Sequence, residues 1–138
     1  MELVTVPRGR QVMARNLDSG EVIAARVGVT ATRAERARGL LGRSDFEADE
    51  GLWIAPSRGV HTCGMRFPID LVALDATGTI IDWVVGLRPW RVRLPRRNVV
   101  GVLELPEGSL HRTETRLGHR LAFEAITVWP DDARGGDQ

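Results

Sequence analysis

Polar and apolar positions change rhythm along the chain, and each change marks an element. Residues 11–29, QVMARNLDSGEVIAARVGV, form two extended segments around the turn signal Asp18-Ser19-Gly20, with branched residues gathered in the second. That pattern predicts a β-hairpin. In the following TATRAERARGLLGR the period shifts. Thr32 precedes Glu35 by three residues as in a capping box, alanines and leucines follow at mixed helical spacing, and Gly42 offers a stop, so one short helix is predicted, with Arg33, Arg36, Arg38 and Arg43 read as a solvated face. From Gly51 onward the runs are strand-like. GLWIAP is a short apolar run closed by proline, and IDLVALD and TIIDWVVGL flank a connection in which Gly78 can take the positive backbone angle of a tight loop. NVVGVLELP, HRLAF and ITVW supply further strands. Between them EGSLHRTETRLG can hold a second short helix, with Ser109 as cap and Gly118 as stop.

Short strands at regular spacing, with only one or two short helices, predict a mainly β fold, a small sandwich-like or distorted barrel domain. A chain of 138 residues is long enough to bury a core without disulfide or metal. We expect a single β-rich domain over residues 1–130 and, in the Gly- and acid-rich end at 131–138, a disordered tail.

Composition narrows the chemistry. No run approaches the ~20 apolar residues that span a bilayer, so no membrane partner is expected. The stretch MELVTVPRGRQ lacks the basic and apolar regions of a secretory signal. A single cysteine forbids an internal disulfide and every CxxC site, which suits a reducing compartment, and we read the protein as cytoplasmic. All 19 cationic side chains are arginine, and tyrosine is also absent. Without lysine there is no Schiff-base or pyridoxal enzyme and no P-loop; without tyrosine there is no phenolic acid or nucleophile. The formal charge of +1 is too small to favour nucleic acid over the whole surface.

Four segments in order, RARGLLGR, GLWIAP, HTCGMRFPIDLVALDATGTIID, and VLELPEG followed by LGHRLAF, resemble the Domain of Unknown Function 192 family over roughly residues 25 to 125. Pro68-Ile69-Asp70 is similar to that family's Pro-Leu-Asp, and Glu104-Leu105 with Gly108 to its Glu-Leu and following glycine. The resemblance implies a small, mainly β, sandwich-like domain and carries no established chemistry. One departure stands out. Where many members carry Trp-Met, a basic residue, Asn and Thr ahead of Pro-Leu-Asp, this chain has His61, Thr62, Cys63, Gly64 and Met65.

If a strand extends through that departure, His61, Cys63 and Met65 project to one face. They are soft ligands in kind, but a copper site wants a second histidine and zinc wants more thiolate or histidine, so no bound metal and no cofactor are expected. A Cys63–His61 nucleophilic pair needs an alignment that adjacent same-face positions rarely give. Burial as core or pocket wall is the reading we carry forward. Asp70 opens an apolar strand, where a carboxylate needs an arginine or backbone amides; it is read as an anchor for a turn or for Arg66. Glu104 lies likewise within VLELP, and the two carboxylates could in principle serve as acid and base if they meet. Ser44 sits in GRSDF, which lacks the second glycine of a nucleophile elbow.

The last candidate is GLRPWRVRLPRRN, where Arg88, Arg91, Arg93, Arg96 and Arg97 surround Trp90 without an acid. Guanidinium forks and an indole face suit an anionic small molecule or an acidic protein, whereas a protected edge or solvated loop needs no ligand at all. We therefore expect a non-catalytic binding or accessory module, with Arg88, Arg91 and Arg93 as the centre of an anion-sensitive surface and His61, Cys63, Asp70 and Glu104 as further ligand-binding candidates. The alternative is a small hydrolase or metal-dependent enzyme around His61, Cys63 and Asp70.

Overall fold

The computed structural model describes residues 3–7, 11–57, 60–61, 65–93 and 96–126. The first elements are β1 (Gln11–Asn16), β2 (Val22–Val29), α1 (Arg33–Arg38) and β3 (Glu50–Ile54). They are followed by β4 (Val60–His61), β5 (Ile69–Leu74), β6 (Ile80–Leu87), β7 (Val92–Arg93), β8 (Gly101–Pro106), α2 (Ser109–Arg112) and β9 (Leu121–Ala125). Seven strands make one sheet in the order β6-β5-β8-β3-β2-β1-β9, curled into a half-barrel, and β4 pairs separately with β7. The fold is mainly β, as the sequence pattern predicted. The edge strands β6 and β9 approach at one end, where the Ile80 amide donates to the His119 carbonyl and the Leu121 amide to the Gly78 carbonyl, each at 2.9 Å.

The alternating pattern of β1 buries one face, whereas β5 and β8 are buried throughout. Central strands covered on both sides read as continuous apolar runs, which is why IDLVAL and GVLELP show no alternation. Their register sorts the residues. Val72 pairs with Leu103 and Asp70 with Leu105, so these lie on the concave side, in or beside the main core with Trp53, Leu74 and Phe123. Leu71 pairs with Glu104 and Ala73 with Val102, so these lie on the outer side, where Ile54 and Val99 complete a second apolar cluster. Leu40, Met65 and Ile69 form a third cluster.

The two helices are shorter than the sequence suggested. Thr32 caps α1 as expected, its hydroxyl accepting from the Glu35 amide at 3.0 Å, but the helix stops at Gly39 (φ 51°), ahead of Gly42. The α2 cap is Gly108 in a left-handed conformation; Ser109 sits one residue inside, its hydroxyl donating to the Pro106 carbonyl at 2.6 Å. Gly118 lies well past the end of that single turn, in the approach to β9. The chain between β4 and β5 is also irregular at Met65–Pro68, so no one strand continues from His61 into Asp70. Cys63, most of the predicted ITVW strand and the tail at 131–138 lie outside the described residues.

Candidate functional site

Asp70 is fully buried, and backbone donors surround its carboxylate. Oδ1 accepts from the Gly86 amide at 2.9 Å, and Oδ2 from the Gly108 and Leu110 amides, both at 3.1 Å. Gly86 and Gly108 both have positive φ, so one carboxylate fixes the end of β6 and the start of α2. Of the two anchors read from the sequence, a turn and Arg66, the described hydrogen bonds are those of a turn. They also tie Pro68-Ile69-Asp70 to the Gly108 turn that follows Glu104-Leu105: Asp70 supplies the acceptor, Gly108 and Leu110 two of the donors and Gly86 the third.

Glu104 faces the other way. Because its register partners are Leu71 on β5 and Leu52 on β3, it projects from the outer side of the sheet while Asp70 projects from the concave side. The two carboxylates therefore make no acid and base pair. Glu104 is 2% exposed, and its Oε2 has no hydrogen-bond partner among the described residues. Burial pushes its carboxyl up to about 8. Above it lies a cavity of about 130 Å³ whose walls include Arg36, Arg38, Gly39, Ile54, Ser57 and Met65. A Cβ at Gly39 would stand 4.0 Å from both Glu104 oxygens, so the turn that ends α1 roofs the carboxyl. The sequence reading took the α1 arginines for a solvated face and did not connect them with Glu104. The sequence placed the stop at Gly42; the actual one, Gly39, comes over a residue 65 places later only through the fold.

The arginine segment is built around an acid that sequence reasoning missed. Asp82 on β6 pairs in register with Ala73 and so lies on the outer side, only 8% exposed. Arg93 donates to it through Nη2 at 2.6 Å and Nε at 3.1 Å, and Arg96 Nη1 stands 3.2 Å from the same Oδ1. Burial alone would raise the Asp82 carboxyl; hydrogen bonding and the charge of Arg93, helped by Arg96, outweigh it and hold it below the ordinary range. Arg93 is thus a clamp between the β4–β7 pair and the main sheet. Trp90 stands at the turn before β7 with φ 63° and 67% of its surface exposed, and Arg91 donates to its carbonyl at 3.4 Å. Arg88 and Arg91 both carry further interactions. His61 lies on β4 opposite Val92.

Comparison with known proteins places this arrangement in company. The family model of the Domain of Unknown Function 192, described as "Uncharacterized ACR", matches residues 14–123. A UPF0127 protein of Thermococcus sibiricus is 26% identical over 117 residues, 81% of this chain and 75% of its own. A UPF0127 protein of Pyrococcus furiosus is 34% identical over 67 residues, 49% of this chain, and the match spans only 57% of that relative's length. Among solved structures, a Sinorhizobium meliloti 1021 protein named as a candidate transcription regulator superposes with a TM-score of 0.71 at 21% identity, covering 86% of this chain and 96% of that one. A protein of unknown function from Novosphingobium aromaticivorans gives a TM-score of 0.68 at 22% identity over 80% and 82%. These likenesses establish the fold.

Proposed function

The chain belongs to the Domain of Unknown Function 192 family, and from that premise we propose that it is a non-catalytic binding module for an anionic partner, docking on the turn that carries Arg88, Trp90 and Arg91. The observation that carries this reading is the exposed indole of Trp90, held out by a left-handed backbone. Around it, residues 83–100 contain five arginines and no acid. Asp82, just ahead of the segment, carries one negative charge against those five positive ones. The Arg93–Asp82 fork ties the adjacent strand to the sheet, so a ligand meets a platform that is already ordered and loses less entropy on binding. Guanidinium forks suit carboxylates or phosphates, and the indole supplies apolar contact area. An acidic polypeptide fits this combination best, with a small anion as the simpler ligand of the same kind. Nucleic acid is disfavoured by the formal charge of +1. The single cysteine suits the cytoplasm, which belongs to the same proposal. The enzyme alternative around His61, Cys63 and Asp70 is weakened because three amides already occupy the Asp70 oxygens.

The test is anisotropy titration of a labelled polyglutamate peptide, with inorganic tripolyphosphate as competitor, at about 50 and 300 mM salt. An Arg88→Gln, Arg91→Gln, Trp90→Ala variant, which keeps the Arg93 clamp, should bind about tenfold more weakly or worse, and binding by the wild type should fall at high salt. Equal binding by both proteins, or binding indifferent to salt, overturns the proposal.

A further inference from the structure

The Glu104 cavity shares no lining residue with the Trp90 turn and is not needed for that turn to bind. A buried carboxyl oxygen without a partner costs on the order of 1–3 kcal/mol, so a fold that keeps one either fills it with water or reserves it for something else. The surroundings select among ligands. The floor is a carboxylic acid, and the middle walls are apolar, with Ile54, Leu40 and Met65. Arg36, half-buried, and Arg38, exposed, line the cavity from the last turn of α1 and are the charged residues other than Glu104 among the described lining residues. A ligand that meets both ends needs a cation inside and an anion outside. The volume of about 130 Å³ holds roughly four water molecules, enough for a small polar group and a short stem.

We propose that this cavity binds a small zwitterion of the amino-acid type, its ammonium group reaching Glu104 and its carboxylate lying toward Arg36 and Arg38. The same chemistry explains why α1 is held as it is. The helix buries none of its own residues; Leu40, just beyond it, is buried with Met65 and Ile69, and the glycine at its end leaves room over the carboxyl. Binding carries a proton signature. Near neutral pH the free acid is protonated; when the ammonium docks, the O–H bond breaks, the proton passes to buffer and the carboxylate forms an ion pair with the ligand, whose own charge is unchanged.

Isothermal titration of the whole chain near pH 7, in two buffers of different ionisation enthalpy, tests this with glycine, β-alanine and 4-aminobutyrate as probes and butyrate and butylamine as single-charge controls. At least one zwitterion should bind with release of about one proton per site, and the controls should bind at least tenfold more weakly. Glu104→Gln should weaken binding at least tenfold and abolish proton release. Arg36→Gln with Arg38→Gln should weaken binding while leaving the proton release in place. The proposal is overturned if none of the three zwitterions binds at millimolar concentration, which leaves water as the partner of Glu104. It is equally overturned if a control binds as well, if binding releases no proton, or if Glu104→Gln binds like wild type. Polyglutamate binding at the Trp90 turn is measured separately, so either reading can fail alone.

Discussion

Replacing Glu104 with Gln should remove a pH dependence that the native carboxyl imposes on folding. In the unfolded chain this group ionises near its ordinary value of 4.5; in the fold, burial moves it to about 8. Between those values the native state holds a proton that the unfolded state has released, so rising pH favours unfolding. The slope is about 1.4 kcal/mol per pH unit. The associated stability is fully present below pH 4.5 and is lost as pH climbs through about 8. From about pH 5.5 to 7.5 the wild type should therefore lose on the order of 3 kcal/mol relative to the variant. Urea denaturation followed by tryptophan fluorescence at several pH values measures it, and the difference between wild type and variant cancels the titrations they share. A Glu104→Leu variant should be the more stable protein at pH 7.5, because an apolar side chain of similar size leaves no unpaired oxygen behind. A constant gap between wild type and Glu104→Gln across the whole range would refute the reasoning, since it would mean the carboxyl titrates alike in the folded and unfolded chain.

Three further outcomes are expected. Asp70→Ala, which strands the amides of Gly86, Gly108 and Leu110, should cost about 3–5 kcal/mol by chemical denaturation, and a cost under about 1 kcal/mol would show that water replaces the carboxylate easily. Asp82→Asn should loosen the β4–β7 pair, seen as faster amide hydrogen exchange at Val92 and Arg93 with little change in the main sheet. Because the Asp82 carboxyl is held low, its contribution is present above about pH 4 and is lost as pH falls through its lower folded value, so this difference should vanish in acid. Gly101→Ala should destabilise the protein by about 1–3 kcal/mol in a thermal melt, since the added Cβ would lie 2.5 Å from the Trp53 ring.

Local patterning was enough to specify the hairpin at 11–29, the Thr32 cap, the connection at Gly78 and the mainly β character, because turn residues, caps and branched runs act over a few neighbours. It also singled out Asp70 and Glu104, since an acid inside an apolar run stands out wherever the strand ends up. What each acid does depended on register. A one-residue difference in strand pairing decides which face a side chain takes, and the pairing of β5 with β8 sends Asp70 into three amides and Glu104 into a cavity. Asp82 escaped notice because TIIDWVVGL shows no sign that Arg93, eleven residues on, will fold back over it. The α1 arginines looked solvated for the same reason: their distance from Glu104 is a property of the sheet and of the turn at Gly39, and long-range packing of that kind leaves no periodicity in the chain.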